Sequence, residues 1–293
     1  MKALIRTATH AGGWYPEFEG DLRSIIHTAI QAATINKTTS FLKSIIVPHA
    51  GYRFCLPTSA QSFAQIQASS YDRVIVIGPS HHQYFHGCGL TDYTSLSTPL
   101  GNLNVDIEGS KNLLKNSLFF HLEQSIDDEE HSIEMELPLI KHVFGMKDIK
   151  VLPIMVGEMS LQEIEEIGKM IRPYFEDSNS LFVISSDFCH WGKRFNYTYY
   201  NKSDVAIWES IKKLDMEGVK QISTHDVEKF AKYAIDTKNT ICGKMAILMM
   251  MSSIQGIKSS HFRTDLLFYD QSSKNMEMSD SSVSYVAAAT YKE

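Results

Sequence analysis

No stretch of this chain approaches the ~20 consecutive apolar residues that a membrane helix needs, and Met1–Thr7 holds no apolar core of signal-peptide length. Cysteine is scarce. Cys55, Cys88, Cys189 and Cys242 are dispersed and form no C-x-x-C pair, so thiols are expected rather than disulfides. There is no basic excess: net charge is −6 and the pI is about 6.1, which argues against nucleic acid or an anionic membrane as partner. Also missing are a G-x-G-x-x-G followed by an acidic residue, a Walker lysine loop, a G-x-S-x-G elbow and H-E-x-x-H. Nucleotide binding, serine hydrolysis and zincin chemistry therefore lack support. With no linker, repeat or low-complexity tract, one domain over residues 1–293 is expected, inside the cell.

What the chain does have is a set of short apolar runs bounded by Gly or Pro, which read as buried strands. They cover 44–48, 73–77, 151–157 and 181–185, with two more at 264–270 and 282–290. The turn-rich stretch 83–108 has room for short strands. Helical spacing marks 21–35 with Asp21 as N-cap, 57–67 with Pro57 in the first turn, and 109–120. It also marks 132–144, interrupted by Pro138. A capping box of Ser160 and Glu163 precedes a further helix, and 203–214, 225–236 and 243–255 follow. This alternation predicts an α/β fold: a central, mostly parallel or mixed sheet with helices on both faces.

Three strands end on residues of metal-ligand type. The first leads to His49, the second to His81 and His82, and the third to Asp187, Cys189 and His190. Ligand sites in open α/β sheets gather beyond the carboxyl ends of the strands. Taken singly, His49 reads as a strand-end histidine bonded to backbone; the repetition is what suggests a pocket. Neighbours on extended chain face opposite ways, so of His81 and His82 one faces the pocket, and His82 reads as a surface residue.

Asp187 and His190 are three apart. They fit either a carboxylate–histidine pair for proton transfer or an N-capping Asp beside a satisfied His. His131 and Glu134 share a face at a helix start, after the run Asp127-Asp128-Glu129-Glu130. That run reads as solvated and should raise the pKa of His131. Cys242 precedes an apolar helix, where the macrodipole favours thiolate; a buried inert thiol is the other reading. The Met245, Met249, Met250, Met251 series reads as core packing.

Several segments together resemble the Memo family, named for "mediator of cell motility". They are His10-Ala11-Gly12-Gly13-Trp14-Tyr15, Pro48-His49-Ala50-Gly51-Tyr52, Gly78-Pro79-Ser80-His81-His82, Glu130-His131-Ser132-Ile133-Glu134-Met135, Ser185–Gly192, Asn239-Thr240-Ile241-Cys242-Gly243 and Asp280–Tyr285. The resemblance implies a fold like that of class III extradiol ring-cleaving dioxygenases, which hold iron with two His and a Glu. It implies metal ligands His49, His81 and Cys242, with Asp187 and His190 lining the same pocket and His131 at the acid–base position. It also implies copper or iron as the bound ion, a redox role, and a link to phosphotyrosine signalling and motility, in the cytoplasm and also the nucleus.

Two His with a thiolate suit softer ions such as Cu(I) better than the Fe(II) of ring cleavage, and a thiolate beside O₂ is itself oxidisable. The expected function is thus a mononuclear copper or iron site. A ring-cleaving dioxygenase and a phosphotyrosine-peptide adaptor using Arg53, Lys193 and Arg194 are the alternatives.

Overall fold

The computed structural model describes residues 4–204 and 206–293. In chain order the elements are β1 (Ile5–Arg6), α1 (Glu19–Gln31), β2 (Phe41–Val47), α2 (Tyr52–Phe63), β3 (Arg73–Pro79), β4 (Cys88–Leu90), β5 (Ser95–Leu96), β6 (Leu103–Val105), α3 (Ile107–Leu113), β7 (Phe119–His121), α4 (Gln124–Glu129), α5 (Leu137–Phe144), β8 (Lys150–Val156), α6 (Leu161–Glu176), β9 (Ser180–Ser185), β10 (His190–Trp191), α7 (Ile207–Ser223), α8 (Val227–Thr237), α9 (Lys244–Gln255), β11 (Phe262–Gln271) and β12 (Ser282–Lys292). The main strand order is β1-β5-β6-β8-β3-β9-β2-β12-β10, with β11 beside β12 and β4 beside β7 and β8.

The centre of the sheet, β8-β3-β9-β2, is parallel throughout, and β12 closes it antiparallel to β2. The sheet is therefore mixed around a parallel centre, with helices on both faces as expected. Successive residues of each central strand face opposite ways. Ile46, Ile75, Ile77, Ile154 and Ile184 pack on one side with residues of α6, α8 and α9. Ile45, Val47, Val74, Val76 and Val183 pack on the other with residues of α1, α2 and α5. Burial on both faces explains why these strands read as continuous apolar runs rather than alternating ones.

Several boundaries differ from the expectation. Helix α1 starts at Glu19, so Asp21 lies in its first turn and Phe18 precedes it without a side-chain cap. Helix α2 starts directly after the His49 turn, at Tyr52, which puts Pro57 inside it; the carbonyl that Pro57 cannot serve belongs to Arg53, an exposed residue. Residues 109–120 split. Asp106 caps the short α3 by accepting from Gly109 N at 3.0 Å, and Phe119 instead pairs with Cys88 in the sheet. Pro138 does not break a helix: a 3₁₀ turn at Glu134–Glu136 leads into α5, and Pro138 sits in the first turn where its missing N–H costs nothing. The Ser160–Glu163 capping box forms as expected.

The run 127–130 is only partly solvated: Glu129 is exposed and Asp128 half-buried. Asp127 and Glu130 are buried, because Arg6, itself buried, reaches into the segment from β1. Its guanidinium donates to Glu134 Oε2 at 2.6 Å, Asp127 Oδ1 at 3.1 Å and the Glu130 carbonyl at 3.0 Å. Glu134 also accepts from Tyr15 OH at 2.7 Å and His10 N at 2.8 Å. This knot anchors the loop that carries Glu130 and His131.

Two expectations follow. Burial pushes the Glu134 carboxyl up, but the hydrogen bonds and charge of His10 and Arg6 outweigh it and hold it at about 2. A depressed carboxyl contributes stability present above its unfolded value of 4.5 and lost as pH falls towards 2. Glu134→Ala therefore destabilises the protein by about 3–5 kcal/mol at pH 7, because it leaves Arg6 without its closest partner. In chemical denaturation the gap to wild type should narrow between pH 4.5 and 2. Separately, a Cβ on Gly243 would meet the Ser186 Cβ and the Ser185 carbonyl oxygen, the latter at 2.6 Å. Gly243→Ala should lower stability by about 1–3 kcal/mol, read by the same measurement.

Candidate metal centre

Strand β9 lies between β3 and β2, with Ile77 level with Ile184 and Val47 level with Ser185. Parallel neighbours in this register end together. The chain leaving β2 carries His49, the chain leaving β3 carries His81, and the chain leaving β9 carries Asp187. Cys242 arrives from elsewhere, on the turn before α9. Gly243 N donates to Ser186 Oγ at 3.0 Å, and Asp187 N donates to Cys242 Sγ at 3.2 Å, so this turn is fastened to the end of β9.

His49, His81 and Cys242 present ligand-type atoms that all lie within 4.8 Å of one another. The His49 ring is buried, and its Nε2 is 3.1 Å from Cys242 Sγ. Its Nδ1 is 2.7 Å from Ser185 Oγ. The His81 Nδ1 is 2.8 Å from Glu130 Oε1, while Glu130 Oε2 accepts from His81 N at 2.5 Å. Each histidine thus has one ring nitrogen engaged by an outer partner and the other free to face the pocket, the arrangement that metal-binding histidines use. A donor set of two imidazoles and one thiol at this spacing fits a soft or borderline metal ion.

Above these residues opens a cavity of about 500 Å³, lined among others by Trp14, His131, Asp187, His190, Phe195 and Tyr285. Asp187 Oδ1 accepts from His49 N at 3.0 Å, and burial pushes its carboxyl up to about 7. His190 is fixed by Thr240 Oγ1, which accepts from its N at 2.7 Å, and by the Phe188 carbonyl, 2.9 Å from its Nδ1. Asp187 and His190 both face the cavity but bond to these partners rather than to each other. His131 stacks on His81 with ring centroids 4.4 Å apart and leans on Trp14 at 4.5 Å. His82 is exposed, as expected.

Two electrostatic expectations are corrected. The pKa of His131 goes down, to about 3, not up: burial and the charge of His81 outweigh Glu130. The Cys242 thiol is pushed up, not down, by burial and by the charge of Asp187. The α9 dipole therefore does not by itself hold a thiolate there; only a bound cation would reverse that balance. Burial also keeps His49 neutral, helped by its histidine neighbours. Glu130 goes the other way: burial raises it, but the bonds and charge of His81 and the charge of His131 win and hold it at about 2.

Ser185, Glu130 and Trp14 were not singled out by residue type. Ser185 carried a signal all the same, since the two-residue period of a strand puts it on the face of Asp187. Glu130 was hidden in an acidic run. Cys55, Cys88 and Cys189 are buried free thiols.

A family profile described as "Memo-like protein" matches residues 6–289. "Protein memo-1 homolog" of Caenorhabditis elegans is 37% identical over 290 residues, covering 98% of this chain and 82% of that protein. "Protein MEMO1" of Xenopus tropicalis is 37% identical, and that of Homo sapiens 36%, each over 292 residues and 98% of both chains. Among solved structures, an uncharacterized Escherichia coli K12 protein has the same fold at a TM-score of 0.52 and 11% identity, covering 85% of this chain and 99% of that one. No helix among the described residues is long and apolar enough to cross a membrane. With a family match over nearly its whole length and relatives more than a third identical across it, the chain belongs to the Memo family.

Proposed function

We propose that this protein is a single metal-binding domain in which His49, His81 and Cys242 hold one copper ion, as Cu(I), or one iron ion, in a redox-linked role. The observation that carries the reading is the convergence of these three donors within 4.8 Å, with Ser185 and Glu130 holding the remaining histidine nitrogens. A bound Cu(I) or iron ion would supply one-electron chemistry. The chain's own residues supply the rest. His49 enters as a neutral ring, and Cys242 must shed its proton to act as a ligand. Glu130 keeps the His81 ring oriented and more basic. Trp14, Phe195 and Tyr285 give the cavity apolar walls.

A second reading, turnover of a substrate as in ring-cleaving dioxygenases, is favoured by Asp187. A carboxyl held at about 7 suits proton transfer near neutrality, with His131 and His190 beside the same cavity. Oxygen uptake by Fe(II)-reconstituted protein across a panel of catechols tests this reading, and no uptake argues against it.

For the metal reading, elemental analysis of the purified protein should find copper or iron. Cu(I) competition titration should give Cys242→Ala a more than about 100-fold weaker affinity than wild type, since loss of an outer partner alone costs about 10–100-fold. Equal binding by the two removes Cys242 from the site. Glu130→Gln should fall in that 10–100-fold range, through the orientation of His81.

A further inference from the structure

Ser185 Oγ sits at the junction of three polar groups. His49 Nδ1 is 2.7 Å away, the Ser132 carbonyl oxygen 2.7 Å, and Glu136 Oε1 3.2 Å. A serine hydroxyl has one proton to donate and two lone pairs to accept with. A carbonyl can only accept, so at 2.7 Å it takes the hydroxyl's proton. The other two partners can then bond to Ser185 only by bringing protons of their own. His49 must donate from Nδ1, and Glu136 must donate from Oε1. Ring and carboxyl protons are inferred from networks of this kind rather than seen directly. Here the network admits one complete solution.

The surroundings of Glu136 agree with this count. The residue is fully buried, and its second oxygen, Oε2, has no hydrogen-bond partner. Among the described residues no lysine, arginine or histidine pairs with it. The ionisable groups that face it are Asp187 from the chain after β9, and Tyr52 and Cys55 from α2. None of them brings a positive charge. An ionised carboxylate here would be buried and uncompensated, which is costly. A neutral acid leaves only a carbonyl-like oxygen unpaired. Burial and the nearby Asp187 push the Glu136 carboxyl well up, against the pull of Ser185.

We propose that Glu136 is held as an uncharged carboxylic acid that donates to Ser185, and that Ser185, its own proton donated to the Ser132 carbonyl, is the positioning residue that keeps the His49 proton on Nδ1 and the lone pair on Nε2, facing Cys242. The two histidines of the pocket are then backed in opposite ways. Glu130 backs His81 as a carboxylate, and Ser185 backs His49 as a hydroxyl, with neutral Glu136 behind it. This deepens the metal reading, on which only the consequence at Nε2 rests; the Glu136 proton and the His49 tautomer exist without any ion.

The test uses metal-free full-length protein at pH 7, as wild type, E136Q and S185A. Difference infrared spectroscopy between wild type and E136Q should show the carbonyl stretch of a protonated carboxylic acid that vanishes in the variant. Nitrogen-15 NMR should find the His49 proton on Nδ1 in wild type. In E136Q it should stay there, because Ser185 still donates its proton to the Ser132 carbonyl. In S185A, which removes the acceptor for that proton, it should shift toward Nε2. Cu(I) titration should show an affinity loss of about 10–100-fold in S185A and wild-type affinity in E136Q. The proposal is overturned if no E136Q-sensitive acid band exists, or if E136Q displaces the His49 proton. E136Q answers both points even if S185A does not fold. Should wild type bind no copper at all, the metal reading fails, while the infrared and NMR results still decide the state of Glu136.

Discussion

The parallel pairing of β3, β9 and β2 is the constraint on which the site depends. Parallel strands in register run in one direction and stop at one level, so whatever follows each strand is delivered to the same place. His49, His81 and Asp187 are far apart in sequence and follow three different strands, yet they share one pocket because Val47 is level with Ser185 and Ile77 with Ile184. A one-residue slip in any of these pairings would turn the delivered side chain to the other face. Burial of the sheet on both faces is what makes such a slip expensive.

Around that pocket, burial rather than local charge sets protonation. His131 follows an acidic run and yet is held neutral, because the cost of charging a buried ring beside His81 exceeds the attraction of Glu130. Cys242 precedes a helix N-terminus and yet keeps its proton, because desolvation and the nearby Asp187 push its thiol up. Glu130 and Glu134 are ionised for the opposite reason: each has cationic or donor groups pressed directly against its oxygens. Desolvation acts on every buried group, and only direct, short contacts overcome it. The result is a pocket in which the His49 and His131 rings are held neutral, with one firmly anionic outer carboxylate at His81.

Much of the architecture was legible from hydrophobic runs. Strands buried on both faces announce themselves as unbroken Val and Ile stretches, and the cores of β2, β3, β8 and β9 lie where those runs lie. Boundaries were less legible where proline was the guide. Pro57 and Pro138 each admit more than one place in a helix, and which one they take depends on whether a strand end or a 3₁₀ turn comes before. Phe119 read as helical because its pairing partner, Cys88, is a non-local neighbour that periodicity does not sense.

The site divides in the same way. By itself, the sequence determined the chemistry available: histidine at two strand ends, Asp187 and His190 after a third, one cysteine ahead of an apolar helix, and a family likeness running through all of them. Those are properties of residue type and of short-range order. Only the tertiary structure decided that Cys242 sits 3.1 Å from His49, that Arg6 pulls an acidic run into the interior, and that Ser185 and Glu136 stand behind the His49 ring. Each of these contacts joins segments about 50 to nearly 200 residues apart, and the number of partners a buried polar atom finds is settled only when those segments pack.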